Sequence, residues 1–471
     1  MTDVPFPIIS APGRHPQTSG GRLVNCYAEK LSATAGKQVN YPRAPGLKAF
    51  ATLSGDNFRG ALQVVNTLYA VVDDVVFTID EDGTVAQLTG DPVPGTAKVF
   101  MARNNAANPD IVIVSPGDGA VIITGGAVDE YPDSDVGQPN SVVFLKGVFI
   151  FTYGDGTVRN SGVNATSINT LDVASAESKP DTLYRPIPLG NGQLLLVGSS
   201  SMEVWGGQND TGFFFSYIAT INRGIVGPYA IAGHEDGFGK GIFFVGDDFK
   251  VYTLNGYTPS PVSSTDVELQ IEREPDKASI SVSVFVANGH GFVAVQGPTW
   301  CWVHETDGGT WHERESYLET YWRATCPVKA FDKWLCGDLK TGDLLEIDGN
   351  TQDEVGDPLR MRIETGSLGA FPKALRINSI ELYLTKGVGI ATGTDPVQTD
   401  PDIEISISRN GGQTWSSPRA VKVGRQALTA GRVRSSIWGQ CDVQGVRWRF
   451  DESSNVPFGF MGADMLSDTL R

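Results

Sequence analysis

The residues of this 471-residue chain whose types and spacing could do chemistry are acidic neighbours, scattered histidines and five cysteines. Acidic side chains adjoin at Asp73 and Asp74, Asp80 and Glu81, and Asp247 and Asp248. Paired carboxylates are what glycoside hydrolysis requires, held at a set separation around one sugar. Successive side chains of an extended chain point to opposite sides, so adjacent pairs beside turns predict solvated tips rather than one catalytic centre. A sialidase-like site would also gather arginines around its substrate carboxylate. Here Arg159, Arg185 and Arg223 are scattered one per unit of the chain.

His15, His234, His290, His304 and His312 complete the titratable set. A Ser-His-Asp or Cys-His constellation can be assembled from distant residues, but there is no G-x-S-x-G elbow, H-E-x-x-H pair or P-loop. His304 and His312 flank the turn TDGGTW and are expected as a surface pair across a hairpin, not as a metal site. The acidic run DPVQTDPD lacks the glycine and terminal glutamate of an EF-hand. Cys26, Cys301, Cys326, Cys336 and Cys441 contain no C-x-x-C pair and are expected as buried thiols, with no zinc. The expectation is therefore no catalytic residues, no cofactor and no metal.

The sharpest local pattern is SRNGGQTW. It matches the Asp-box turn S-x-D-x-G-x-T-W through Ser408, Gly412, Thr414 and Trp415, with Asn410 in the aspartate position. An Asx side chain bonds nearby backbone, glycine supplies a positive φ, and the tryptophan packs over the hairpin. The motif specifies a turn, not an activity. TDGGTW at 306–311 is a shortened version. A different signal comes from Phe213, Phe214, Phe215 and Tyr217 in the connection GGQNDTGFFFSY, either tucked against the fold or exposed as a partner contact.

The elements that must position these residues recur. Seven phrases pair a short apolar run, a turn of small or acidic residues, and a second apolar run: LYAVVDDVVFTID, IVIVSPGDGAVIIT, VFIFTYGDGTV, LLLVGSSSMEVW, IFFVGDDFKVYTL, FVAVQGPTWCWV and WLCGDLKTGDLLEID. Their turns recur at roughly 37 to 50 residues, the interval of propeller blades. The 55 glycines and 27 prolines favour turns and strands over helices, and no helix longer than two turns is expected. The predicted fold is all-β: a propeller of about seven blades over 58–367 and a C-terminal β-sandwich over 368–471. Residues 1–57 form an arm with ring-closing strands, and 385–402 form a loop. No apolar stretch approaches the length of about 18 residues that spans a bilayer, and the N-terminus lacks a signal-peptide pattern. A net charge of −17 opposes a surface that grips phosphate backbones.

Three regions together resemble a known family. GRLVNCYAEKL with PRAPGL (21–47) is similar to the N-terminal segment of tail proteins from short-tailed bacteriophages. EVW at Glu203, RGIVGPY from Arg223 and VYTLNGYTPSPVSSTDVE from Val251 resemble the middle of the packaged-DNA stabilisation family, also called tail hub or nozzle. RVRSSIWGQ, GVRWRF and SSNVP (432–457) resemble its last domain. The resemblance implies a non-enzymatic virion protein, assembled in the host cytoplasm and located in the tail. It implies a homo-hexamer below the portal and its adaptor that retains packaged genome and passes double-stranded DNA through its lumen without specific binding. It further implies contacts with tailspike or fibre proteins and with a needle or plug, and no membrane. The family's role lies in interfaces, so no site residue carries over. The rival expectations are a carbohydrate-active propeller, sialidase-like or glycan-binding, favoured by the Asp-box and nine tryptophans, and a host interaction propeller.

Overall fold

Each of the seven phrases folds as the central hairpin of one antiparallel sheet. The computed structural model describes residues 2–469 apart from 177, 178, 180, 210 and 211, so Asp210 and Thr211 of the GGQNDTG turn lie outside the described residues. The hairpins are Thr67–Val72 with Val75–Ile79, Ile111–Ser115 with Gly119–Thr124, Val148–Thr152 with Thr157–Ser161, and Leu194–Gly198 with Met202–Gly206. Ile242–Val245 with Val251–Asn255, His290–Gly297 with Trp300–Glu305, and Lys333–Asp338 with Leu344–Asp348 complete the set. The leading strand of each hairpin is almost continuously apolar because it is covered on both faces by neighbouring blades; Ile111–Ser115, Val148–Thr152 and Leu194–Gly198 are buried throughout. Tight turns that join strands within a blade take left-handed backbone, as at Lys146-Gly147 (φ 51° and 92°) and Asn288-Gly289 (φ 52° and 82°). That conformation matches the twist of the flanking strands.

An additional strand precedes each hairpin and lies innermost: Phe58–Val64, Phe100–Arg103, Ser141–Leu145, Leu183–Pro188, Ile231–Ala232, Ser281–Ala287 and Ala324–Ala330. These strands surround an axial cavity and are more polar than the second strands, which explains why the repeat was visible in the hairpins and not in them. Apolar clusters fill the wedges between blades. The first and seventh blades share one such cluster, built from Phe58, Leu68, Phe77, Leu335 and Leu344. There the Phe58 ring lies so close to Gly337 that a Cβ at that glycine would sit 2.1 Å from it.

The ring is closed by the N-terminal arm. Gly46–Ala51 pairs antiparallel with Leu344–Asp348, supplying the outer strand that the seventh blade lacks. The first blade is complete with its own Val85–Gln87. The rest of the arm enters a two-sheet sandwich. One sheet runs Glu29–Lys30, Val39–Pro42, Gly459–Thr469, Leu375–Leu384, Val433–Cys441. The other contains Met361–Thr365, Arg447–Glu452, Asp402–Ser408 and Arg419–Lys422. Both bury side chains in one core that includes Trp438 and Trp448, edge-to-face at 5.1 Å. Gly21–Val24 lies between Met361–Thr365 and Thr310–Glu313, so the second sandwich sheet and the sixth blade form one continuous nine-stranded sheet.

One helix departs from the all-strand expectation. Thr265–Arg273 begins at Ser264, carries Asp266 and Glu268 in its first turn and Arg273 in its last, and buries Val267 and Ile271. The acidic start, basic end and i, i+4 apolar pair are a short helix signature, set within a segment otherwise rich in turn residues.

Candidate functional site

The innermost strands enclose a cavity of about 1040 Å³ on the propeller axis. A stack of side chains crosses it. The Arg185 guanidinium lies 4.4 Å from the Phe100 ring centre, Phe100 stacks on Tyr229 at 5.6 Å, and Lys98 Nζ lies 5.7 Å from the Tyr229 ring. These residues come from the second blade, the fourth blade and the entry to the fifth, so the stack spans the axis. The Tyr229 hydroxyl donates to the Lys98 carbonyl at 3.0 Å, and Arg185 Nη1 donates to the Ile231 carbonyl at 3.1 Å. Burial lowers Arg185 to about 10, which leaves it charged at neutral pH, and raises the Tyr229 phenol to about 12. His234 also lines the cavity, and burial pushes it below its ordinary value.

Local structure engages the side chains of Asp73, Asp247 and Asp248, while Glu81 is exposed and lines the cavity. The Asp73 carboxylate accepts the backbone N–H groups of Asp56 (3.2 Å) and Asn57 (3.3 Å). Asp80 closes a turn with Thr84 and Gly83 through its backbone. Asp247 and Asp248 pair with Arg223 at 2.8 and 3.4 Å, and the Tyr252 hydroxyl donates to Asp248 at 2.7 Å. The three arginines do not converge: Arg159 stacks on Tyr153 at 4.8 Å, Arg185 is axial, and Arg223 holds the Asp247 turn. Nothing in this arrangement favours the glycosidase reading.

The expectation of a surface histidine pair is corrected. His304 and His312 are buried, at 5% and 2% exposure, and the register places His304 opposite Trp311 rather than opposite His312. His304 packs on Trp311 at 4.8 Å, while His312 meets Tyr27 and Phe292. Burial lowers them to about 4 and about 3. The hairpin turn between them is capped by Glu305, whose carboxylate accepts the N–H groups of Asp307 (2.8 Å) and Gly308 (2.6 Å). His290 Nδ1 lies 3.1 Å from the same carboxylate, and Lys240 holds Asp307 at 2.6 Å. His290, Glu305 and Asp307 thus form the one grouping with metal-ligand chemistry found among the described residues. Both of its carboxylates are engaged by N–H groups or a lysine.

The Asp-box-like turn has the expected shape with a longer reach. The Ser408 hydroxyl accepts Gly412 N–H at 2.8 Å, and Asn410 Oδ1 accepts Thr414 N–H at 3.0 Å, four residues on. Gly411 and Gly412 take φ of 70° and 96°. Trp415 does not enter the core; it covers Arg449 at 4.0 Å and Arg447 at 5.7 Å. Of the two readings of the aromatic connection, tucked or partner-facing, three of the four residues take the tucked position. Phe213, Phe214 and Phe215 are buried between the third and fourth blades with Val148, Ile150 and Leu194. Phe214 N–H donates to Asn160 at 3.0 Å, and Asn209 donates to the carbonyls of Phe213 and Phe215. Only Tyr217 is exposed, with Ile218 beside it.

Sequence reading missed the charged seam where the arm joins propeller to sandwich. Arg43 pairs with Glu452, each side chain 1% exposed, and also donates to the carbonyls of Gln352 and Ser454. Arg314 pairs with Glu354 at 2.8 Å, Arg323 with Asp338 at 2.5 Å, and Arg447 with Glu364 at 3.3 Å, all buried. The partners lie tens to hundreds of residues apart, so no spacing rule reveals them. The thiols are free; burial holds Cys301 up at about 12 and Cys441 at about 11.

Among known proteins, a family model described as "Bacteriophage P22 Gp10, beta-propeller" matches residues 23–352. No curated protein matches the sequence. Similar solved structures include PorZ, a surface component of the type-IX secretion system of Porphyromonas gingivalis. It is 13% identical with a TM-score of 0.41, and the alignment covers 70% of this chain and 44% of PorZ. The WD40 propeller domain of Doa1 is 13% identical at TM-score 0.41, covering 64% of this chain and 96% of that domain. The designed protein Ika8 is 11% identical at TM-score 0.37, covering 64% and 99%.

Proposed function

Because the chain belongs to the phage stabilisation family of the Bacteriophage P22 Gp10 β-propeller, we propose that this bacteriophage structural protein is a tail hub. In this reading six copies form a ring below the portal and its adaptor. The ring retains packaged DNA, passes it outward on infection, and anchors spike, fibre, needle or plug proteins. It is assembled in the host cytoplasm, resides in the virion tail and catalyses no reaction.

The observation that carries the reading is the family match, which takes in the closing strand and all seven blades. Three physical features support it. The Arg185, Phe100 and Tyr229 stack crosses the axis of the single propeller, so a conduit for duplex would lie between copies and not inside one. The charge is unevenly divided. Residues 1–367 carry 25 Lys or Arg against 44 Asp or Glu, a net of −19, while residues 368–471 carry 12 against 10, a net of +2. An acidic wall binds an exiting duplex weakly, and the contrast between halves suits head-to-tail contact around a closed ring. Finally, Ile437 is 83% exposed on the sandwich, with Arg419 donating to its carbonyl at 3.1 Å and to that of Ser436 at 3.0 Å. An exposed apolar side chain framed by arginine has the composition of an interface centre.

The test is a phage lacking this chain. Heads should fill and then lose DNA to nuclease; particles that keep their genome as wild type does would refute the retention role.

A further inference from the structure

We propose that the axial cavity is a binding site for a small carboxylate or phosphate anion, seated on Arg185 beside His234. Glu81, Glu235, Asp236 and Asp332 line the axial cavity together with Arg185, yet none of them forms an ion pair with it among the described residues. Arg185 projects into a cavity whose volume, about 1040 Å³, matches those that hold small ligands. Its protein contacts are the Phe100 ring and one carbonyl, that of Ile231. No ion pair within the described residues involves Arg185. A guanidinium carries five N–H donors in a planar fork shaped for carboxylate or phosphate. Its Nε is buried with no acceptor, and so is Nδ1 of His234 in the same cavity. Two buried polar atoms without a hydrogen bond along one cavity are unusual, since buried polar groups nearly always find partners, and the nearest acid to His234 Nδ1, Glu235, stands off at 3.8 Å.

The neighbouring acid does not explain the arginine away. Glu235 lines the cavity and acts on Arg185 through space, but its carboxylate is turned to Gly233 N–H, which donates to it at 2.5 Å. Lys98, also without an ion pair in the described residues, adds positive field from the far end of the aromatic stack. Phe100 covers one face of the guanidinium and leaves its edge to the cavity. An anion in the cavity would accept from the Nη groups at that edge and sit beside His234, which lines the same space. The same chemistry admits a carboxylate or a phosphate, so both are to be tried.

The experiment is isothermal titration of the full-length protein with citrate and, separately, with inorganic phosphate, at ionic strength held constant with sodium chloride. Saturable one-to-one binding of at least one probe is expected. Arg185→Gln should weaken it at least tenfold, with Arg185→Lys intermediate and Arg425→Gln, a surface control that is 76% exposed, unchanged. Circular dichroism and the thermal midpoint establish that each variant is folded. Should Arg185→Gln fail to fold, His234→Phe and Lys98→Gln give the same reading from the other walls. Absence of saturable heat with either probe at millimolar concentration, or equal binding by wild type and the folded cavity variants, would overturn the proposal.

Discussion

The buried pair Arg43–Glu452 gives the prediction with the best-defined magnitude. Both side chains are 1% exposed at the junction of arm, seventh blade and sandwich. Arg43 also holds the carbonyls of Gln352 (2.9 Å) and Ser454 (2.8 Å), and Glu452 accepts the Ser454 N–H at 2.9 Å. Replacing Arg43 with Met keeps the volume of the stem, removes the positive charge, and leaves a carboxylate in the interior with one serine. Breaking a buried pair by removing one member costs about 3–5 kcal/mol, because the survivor has been stripped of water without a counter-charge. Removing both is far cheaper, since the desolvation of two charges is recovered along with the loss of their attraction. Arg43→Met should therefore lower the urea-unfolding free energy by about 3–5 kcal/mol, read from tryptophan fluorescence of the sandwich core. The double variant Arg43→Met, Glu452→Met should recover most of that loss, giving a coupling energy of about 2–3 kcal/mol in the cycle. A single variant within about 0.5 kcal/mol of wild type, or a double variant that loses the sum of the two singles, would refute the claim that this pair ties the domains.

Four further outcomes follow from the geometry. Phe214→Ala should destabilise by about 3–5 kcal/mol, as a core aromatic does, and a neutral effect in thermal unfolding would restore the partner-contact reading. Gly412→Ala places a Cβ 2.4 Å from Arg447 Nη1 at a φ of 96°; a loss of about 1–3 kcal/mol by denaturant unfolding is expected, and no loss would mean that the turn relaxes freely. His304 and His312 are held at about 4 and about 3 against an ordinary 6.5, so the unfolded chain binds protons that the folded chain refuses. Stability should be level above about pH 6.5 and fall by about 1.4 kcal/mol per unit per histidine down to about pH 4, with a shallower slope in His304→Phe. Ile437→Asp should leave the monomer folded and prevent ring assembly, as read by size-exclusion light scattering; rings like those of wild type would remove Ile437 from the interface.

The sheet plan was legible because its signal is local. Each phrase such as IVIVSPGDGAVIIT contains both strands and the turn of one hairpin, and two covered faces impose an unbroken apolar run on the leading strand. The innermost strands were not legible. Ile231–Ala232 has two residues and Phe100–Arg103 four, too few for length or periodicity to mark them. Trp415 and the FFF run show the limits of residue type. The turn chemistry of Ser408 and Asn410 could be read from spacing, but whether an aromatic enters the core depends on what the neighbouring strand offers, here Arg449 for Trp415 and the wedge between two blades for Phe214. The histidines failed for the same reason, since alternation along a hairpin cannot tell a covered face from a wet one. In sequence Arg185 is one scattered arginine; its meaning arises from the other blades that surround the cavity.

A ring of copies is the working form proposed for this chain. Mass photometry of the purified full-length protein, alone and with its adaptor, tests it most directly. A species of six copies is expected, with six-fold symmetry in electron micrographs of the adaptor complex. A particle of one copy in the presence of adaptor would contradict it.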